Sequence, residues 1–144
     1  LSVRPLVDVV GPEMAQSETV TLLNDLCLLA PGALADQSIE WEPVDSRSAR
    51  AVFTRGSYTA RALLSFDGAV NLVDFVSDDR LAASPDGKTF TRKRWSTPVS
   101  SYRTFGGWRA AAKGEARWHA PAPDGEFAYL EFELVDIRYN VRPR

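Results

Sequence analysis

The sequence predicts an α+β domain in which a strongly curved antiparallel sheet wraps around one main helix. Three observations predict this fold. One segment has helical periodicity, about seven segments have the length and apolar pattern of strands, and tight turns join successive strands, which must therefore run antiparallel. A sheet with so many twisted strands curls, and the helix fills its concave side. At 144 residues, the chain is predicted to be a single domain over positions 1–144.

The helix is predicted from Ser17 to Leu29. Ser17 is a suitable N-cap, Glu18 favours the positive end of the helix dipole, and Pro31-Gly32 ends the helix. Its apolar stripe covers well over a third of the helix, so the helix is expected to lie against a sheet or deep in a groove. The stripe consists of Val20, Leu22, Leu23, Leu26, Cys27 and Leu29.

The strands follow from apolar runs separated by turn residues. Asp67-Gly68 is a strong two-residue hairpin signal, and Gly106-Gly107 makes another turn. Pro5 in the first segment indicates an edge strand or a strand start. The predicted strands are Val3–Val10, Ile39–Glu42, Ala49–Arg55, Ser57–Phe66, Ala69–Asp78, Lys88–Trp95, Trp108–His119 and Phe127–Val141.

Several strands carry apolar residues on both faces. A sheet that is covered on one face only needs apolar residues on that face alone. The last predicted strand shows it best, with Leu130, Phe132 and Leu134 on one face and Tyr129, Val135, Ile137 and Tyr139 on the other. Either a second layer is missing from this chain, or the protein binds something apolar or a partner.

Composition excludes several classes of function. Hydrophobic residues make up 44% and charged residues 25%, as in soluble globular proteins, and the net charge of −2 leaves no electrostatic footprint for nucleic acid. The run Arg92-Lys93-Arg94 is interpreted as a solvated strand face. No apolar run is long enough for a transmembrane helix, and no signal peptide is visible in Leu1–Val10. The compartment remains undetermined, with the cytoplasm slightly favoured.

No motif predicts a reaction, a metal or a cofactor. The single cysteine, Cys27, lies among leucines and is expected to be a buried, inert thiol. With one histidine, His119, no two-histidine metal site exists. A serine triad using His119 is not supported by spacing, because the Gly-x-Ser-x-Gly motif is absent. No catalytic residue is therefore predicted.

The acids of the stretch LVDFVSDDR do not converge on one site. On a strand, Asp78 and Asp79 point to opposite faces, and Asp74 lies ~13 Å from Asp78. Paired-carboxylate mechanisms need ~5–10 Å. What remains is a narrower prediction, in which Asp79 and Arg80 lie where the strand leaves the apolar core and form a polar recognition point.

The chain resembles an uncharacterised bacterial family of unknown function over about Val7–Val141. The matching motifs are LLNDLCLLAPGAL, IEWEPVDSRSARAVFTRG, LVDFVSDDR, DGKTFTRKRWSTPVSSYRTFGG, GEARWHAP and FAYLEFELVDIRYNV. The matched positions are Trp41, Glu42, Pro43, Asp45, Asp79, Arg80, Trp95, Tyr102, Trp118 and Tyr129. The chain departs from the family at Leu81, where a tyrosine is common, and in LAPGAL at the end of the helix.

The resemblance implies a half-barrel fold, similar to that of lipoprotein carriers and lipid-binding periplasmic proteins, with an apolar cavity between sheet and helix. Family members are usually longer, so the resemblance also implies that this chain is the C-terminal part of a longer domain. It implies no catalytic residues.

The preferred hypothesis is non-catalytic binding of an apolar ligand, such as an acyl chain or lipid, in the cup between sheet and helix. The candidate ligand-binding residues are Trp41, Asp79, Arg80, Trp95, Tyr102 and Trp118. One alternative is an enzyme that encloses an apolar substrate, with Asp79 or Asp45 as a buried acid/base. Another is an interaction module that completes its sheet at the Leu1–Val10 edge, as a homodimer or with a missing N-terminal segment.

Overall fold

The computed structural model describes residues 10–35, 38–123 and 125–141. They form one α-helix, one short 3-10 helix, an eight-stranded antiparallel sheet and a two-stranded sheet. The elements are α1 Pro12–Leu29, the 3-10 helix Pro31–Ala35, β1 Ile39–Asp45, β2 Ser48–Arg55, β3 Tyr58–Phe66, β4 Leu72–Ser77, β5 Leu81–Ala83, β6 Phe90–Arg92, β7 Arg94–Ser96, β8 Val99–Phe105, β9 Trp108–His119 and β10 Glu126–Glu133.

The large sheet is open, and the predicted α+β class with an antiparallel sheet and one helix is confirmed. Its strand order is β1-β2-β3-β4-β7-β9-β10, and β8 continues β7 alongside β9. β1 and β10 are the edges of this sheet. The half-barrel likeness and the single-domain assignment stay predictions.

The helix packs on one face of this sheet, as the amphipathic pattern predicts. Val20 and Leu23 are fully buried, and they join Leu64, Phe75 and Trp95 in one core cluster. α1 contacts β2, β3, β4 and β9 of the large sheet, and β5 of the small one. Burial of these side chains, at roughly 25 cal/mol per Å² of apolar area, is the main force that holds helix and sheet together.

The predicted start of the helix is wrong. α1 begins at Pro12 with Gly11 as its N-cap, because proline is well suited to the first helical turn. Ser17 lies inside the helix and is buried. Its hydroxyl donates to the carbonyl of Leu81 at 3.0 Å and accepts from the amide of Leu81 at 3.0 Å, which ties α1 to β5.

Three other predicted boundaries are also wrong. The segment Lys88–Trp95 is split between β6 and β7, which belong to different sheets. Residues Asp67 to Asn71 form a wider turn than a two-residue hairpin, with Val70 at φ 62 and the carboxylate of Asp67 accepting the amide of Asn71 at 2.9 Å. The last strand ends at Glu133, and residues 134–141 form no strand. Of the predicted strand Val3–Val10, only Val10 lies within the described residues.

Candidate functional site

A groove opens between the C-terminal half of α1 and strands β7, β9 and β10. Its volume is about 430 Å³, which lies in the range of ~300–1,000 Å³ typical of small-molecule sites. The helix wall carries Thr21, Asn24, Asp25 and Leu28, whose spacing places them on one helix face. The apolar lining is formed by Leu28, Leu29, Trp95, Ala116, Leu130 and Phe132.

Small side chains on β9 let neighbouring side chains lie close to the sheet, and one of them, Ala116, lines the groove. Every second residue from Ala110 to Ala116 is alanine or glycine, and alternate residues of a strand share one face. Gly114 allows the closest approach, because a Cβ there would lie 2.5 Å from the ring of Phe132 and 2.9 Å from Val99. The ring of Phe132 can therefore lie against the sheet as part of the groove wall.

Arg80 is the cation of the groove. Its guanidinium lies 4.3 Å from the ring centre of Trp95 and 5.6 Å from that of Trp118. Both distances are within the range of cation–π attraction. The Nε of Arg80 is buried and makes no hydrogen bond. Three of the predicted site residues, Arg80, Trp95 and Trp118, are thus brought together at the groove.

Tyr129 orders the aromatic wall at the open side of the groove. The indole N–H of Trp95 donates to the hydroxyl of Tyr129 at 3.0 Å, and the rings of Trp118 and Tyr129 stack with centres 6.0 Å apart. Tyr129 itself is 46% exposed on the edge strand β10. An amphipathic ring of this kind covers an apolar wall while it keeps its hydroxyl bonded.

The polar groups of the groove lie near Arg80. Thr97 donates to the side-chain oxygen of Asn24, and the amide nitrogen of Asn24 lies 3.4 Å from the Asp25 carboxylate. Burial of that carboxyl group raises the pKa of Asp25, although its hydrogen bond to Asn24 and the charge of Arg80 partly offset the rise. Glu115, also in the wall, is paired with Arg117 at 2.7 Å.

A second cavity adjoins the groove at Leu28. Its volume is about 460 Å³, and its walls include the end of the helix, Trp108 and Tyr139. The rings of Trp108 and Tyr139 meet edge to face at 5.3 Å, and the hydroxyl of Tyr139 donates to the carbonyl of Leu29. Ala110 lines this second cavity as Ala116 lines the first, about 20 Å away along β9.

Asp79 lies beside the groove but is fully engaged elsewhere. Its carboxylate accepts from the backbone amide of Arg61 at 2.9 Å, and it pairs with the guanidinium groups of Arg61 at 3.5 Å and Arg92 at 2.5 Å. The neighbouring Asp78 is exposed and takes a different partner, Arg94, at 2.8 and 3.0 Å. The structure therefore separates Asp79 from Arg80, which the sequence placed in one recognition point.

Trp41 and Tyr102 are also outside the groove. Trp41 is 40% exposed on the edge strand β1. The hydroxyl of Tyr102 donates to the carbonyl of Leu72 at 2.9 Å, and the guanidinium of Arg109 lies 5.3 Å from its ring centre. Neither residue lines the groove, and Tyr102 packs against the core cluster instead.

Neither carboxylate suggested for acid/base chemistry lies in a closed apolar cavity. Asp45 is exposed at the end of β1, and hydrogen bonds from Ser48 and Arg47 hold its pKa below the usual value. Asp79 is held by two arginines. Cys27 is a buried free thiol, as expected, and burial raises its pKa to about 12.

One arrangement resembles a catalytic triad and was not expected from spacing. The hydroxyl of Ser96 lies 2.7 Å from His119 Nε2, and His119 Nδ1 lies 3.2 Å from a carboxylate oxygen of Glu126. These distances fit a serine activated by an oriented base. The register brings them together across the strands β7, β9 and β10, where sequence distance gives no signal.

Two features of Ser96 oppose a nucleophilic role. Its side chain is only 2% exposed in the middle of the sheet. The amide that follows it, on Thr97, donates to the carbonyl of Phe75 at 2.9 Å. In serine hydrolases of the nucleophile-elbow type, that amide belongs to the oxyanion hole. Here it is bonded to the backbone of β4, so the cluster fits a structural hydrogen-bond chain.

Metal binding finds no support in the part of the chain that the structure describes. Residues 10–35, 38–123 and 125–141 contain no group of three or more His, Cys, Asp or Glu side chains placed to hold an ion. In the same ranges no helix is long and apolar enough to span a membrane.

The candidate residues that the sequence predicts include the aromatic and cationic side chains at the groove but none from its helix wall. Asn24 and Asp25 interrupt the apolar stripe of α1. This interruption is the sequence feature from which polar groups on the groove side of the helix could be predicted. Ala116 and its small neighbours on β9 carried a weaker signal, because alternate small residues in a strand also occur in ordinary cores.

A comparison with protein families matches residues 1–132 to the model of a family of unknown function (DUF6544). No curated protein and no solved structure matches the chain.

Proposed function

Because this chain belongs to a family of unknown function (DUF6544), we propose a role from the groove itself, namely non-catalytic binding of an apolar, chain-like ligand between α1 and the sheet. One observation carries the proposal. The C-terminal half of α1 lies across a gap from Ala116 on β9, and Leu28, Leu29, Trp95, Leu130 and Phe132 give that gap a mostly apolar wall.

Exposed apolar side chains border this gap. Leu29 is 36% exposed and Leu130 is 48% exposed, although each has apolar neighbours across the groove. A bound chain would remove such surface from water, with a gain of roughly 25 cal/mol per Å² before the costs of association. The adjoining cavity extends the apolar wall past Leu28, which favours an elongated ligand over a compact one.

Ligand length provides the first test. Each additional methylene that the groove buries should contribute ~0.8 kcal/mol, which is about a fourfold change in affinity. Calorimetric titration with saturated fatty acids from octanoate to palmitate should show affinity that rises with length and then levels off. A series with no dependence on length, or no binding at any length, contradicts the proposal.

A filled groove provides the second test. Ala116→Leu places a larger side chain against the helix wall and should weaken palmitate binding at least tenfold. The matched control is Ala128→Leu on the neighbouring strand β10, where Ala128 is exposed and pairs with Arg117 rather than facing the groove. Equal affinities of the two variants would place the ligand elsewhere.

An enzyme is the second candidate, and the distances of the Ser96, His119 and Glu126 side chains are the observation that favours it. Burial of Ser96 opposes this candidate. A fluorophosphonate probe, followed by peptide mass spectrometry, should leave Ser96 unlabelled in the native protein. Labelling at Ser96 that disappears in His119→Ala would replace the binding proposal with a hydrolase.

A further inference from the structure

Arg80 differs from the other arginines in the described part of the chain. Seven of them, at positions 50, 61, 92, 94, 103, 117 and 138, lie within 4.0 Å of a carboxylate. Among residues 10–35, 38–123 and 125–141, the arginines that make no such ion pair are Arg47, Arg55, Arg80 and Arg109, and of these only Arg80 is half-buried.

The surroundings of Arg80 fix its guanidinium without neutralising it. Trp95 stacks on it, Trp118 lies nearby, and the carbonyl of Arg80 accepts the amide of Lys93 at 3.0 Å. Aromatic rings attract a cation but give its N–H groups no acceptor. The buried Nε–H group of Arg80 therefore has no hydrogen-bond acceptor in the protein.

The carboxylates of Glu115 and Asp79, which lie in or beside the groove, do not accept a hydrogen bond from Arg80 because they are paired with other arginines. Glu115 is paired with Arg117 at 2.7 Å, and Asp79 is shared by Arg61 and Arg92. Asp25 is close enough to feel the charge of Arg80 but forms no ion pair with it. One positive charge of the groove is thus left for a ligand, and one acid near it disfavours a ligand that carries two negative charges.

We propose that Arg80 binds the carboxylate of a long-chain carboxylic acid whose tail lies along the groove toward Trp108. The planar guanidinium presents two N–H groups to the two oxygens of a carboxylate, which gives a directional contact that a lysine could not reproduce. The tail then passes Leu28, which lines both cavities, and enters the second cavity. Ala116 lines the first cavity and Ala110 the second, and their separation of about 20 Å along β9 matches the length of an extended long acyl chain. This inference rests on the proposed function and adds the chemical class of the ligand to it.

Ligands with one tail and different heads test the inference in the unmodified protein. Palmitate should bind about 10- to 100-fold more tightly than hexadecanol in calorimetric titration, because only the acid gives a charged partner to Arg80. Hexadecyl phosphate, which bears a second negative charge, should bind more weakly than palmitate. If it binds more tightly, the head group is a phosphate and the carboxylate assignment is wrong.

Substitutions then locate the head group. Arg80→Gln should reduce palmitate affinity about 10- to 100-fold and leave hexadecanol affinity unchanged within threefold, while Arg80→Lys should recover part of the loss. Arg47→Gln, which removes an exposed and distant arginine, is the matched control and should change neither affinity. A selective loss in Arg109→Gln would place the carboxylate in the second cavity, whose wall includes Arg109, and would overturn the role of Arg80.

Failure of this inference is distinguishable from failure of the proposed function. Equal binding of palmitate and hexadecanol, with no effect of Arg80→Gln, overturns the role of Arg80 and leaves apolar binding intact. Absence of binding by all three ligands overturns both. If Arg80→Gln does not fold, the comparison of acid and alcohol in the unmodified protein still decides the question.

Discussion

Asp79 and Arg80 are neighbours in the chain, yet they belong to two differently built regions. The Asp79 region is an ionic cluster in which one nearly buried carboxylate has Arg61 and Arg92 as partners. The Arg80 region is an aromatic cluster in which one half-buried guanidinium faces Trp95 and has no carboxylate within ion-pair distance. A saturated charge stabilises the fold, whereas an unsatisfied charge beside a cavity is available to a ligand.

Backbone geometry explains how adjacent residues reach different surroundings. Strand β4 ends at Ser77, and its hydroxyl donates to the carbonyl of Arg61 and accepts the amide of Asp79 at 3.2 Å. The chain then enters β5 at Leu81, which Ser17 of the helix holds on both backbone groups. Asp79 is thereby turned toward β3 and β6, and Arg80 toward β7 and the helix.

The largest expected effect comes from the ionic cluster. Asp79→Asn should lower the free energy of unfolding by about 1.5–3 kcal/mol, because it removes a charged acceptor from three donors. Arg61 and Arg92 are more than half exposed, so solvent limits the loss to this range. Urea denaturation measures the change, and palmitate affinity of the folded variant should not change.

Asp78→Asn is the control for the ionic cluster. Its pair with Arg94 is exposed on both sides, so its removal should cost at most about 1 kcal/mol. If Asp78→Asn destabilises the protein as much as Asp79→Asn, burial does not distinguish the two pairs. If Asp79→Asn instead abolishes palmitate binding in a protein that remains folded, the assignment of Asp79 to structure alone is wrong.

A smaller effect is expected from the aromatic cluster. Arg80→Met should change the free energy of unfolding by less than about 1 kcal/mol, because the lost cation–π attraction is partly offset by removal of an unpaired buried donor. Urea denaturation alongside Asp79→Asn gives the comparison directly. A loss comparable to that of Asp79→Asn would make Arg80 a structural residue, and its contrast with Asp79 would disappear.

The smallest effect should appear in the pH dependence of stability. Partial burial raises the folded-state pKa of Asp25, which is still exposed to solvent on one side, so its charge slightly destabilises the fold at neutral pH, and this penalty is relieved as pH falls through that pKa. Asp25→Asn should therefore be more stable than the parent at pH 7, with an advantage that shrinks toward about pH 4.

Asp78→Asn should show the opposite sign. The Arg94 pair lowers the pKa of Asp78, so its stabilising contribution is present above the unfolded-state pKa and is lost as pH falls through the lower folded-state pKa. Urea denaturation of both variants at several pH values checks the two signs. Parallel pH profiles for Asp25→Asn and Asp78→Asn would contradict the placement of Asp25 in the groove wall.

The sequence predicted most of the elements and part of the groove, and its failures have physical causes. Periodicity located α1 and most strands but missed β5 and β8, because burial of one face is a local property of the pattern that short or mostly exposed strands show weakly. Ser17 was mistaken for an N-cap because a serine before an apolar stripe has the same local signature in both roles. Its actual partner, Leu81, is 64 residues away in the chain.

The difference between a local pattern and a contact with a distant residue also explains which predicted site residues lie together and which do not. Arg80, Trp95 and Trp118 were grouped by the family resemblance, and they meet because β7 pairs with β9 at Trp95 and Trp118. The pairing of Asp79 with Arg61 and Arg92 depends on three-dimensional packing that no spacing in the chain encodes. Asp25 and Asn24 were overlooked because polar residues in an amphipathic helix ordinarily face water.

A crystal structure with a fatty acid brominated at the end of its tail tests the central claim most directly. The account predicts an anomalous bromine peak in the cavity between Leu28 and Trp108, and a carboxylate within hydrogen-bond distance of Arg80. A tail that lies outside the groove at saturating ligand, or a carboxylate that faces away from Arg80, would contradict it.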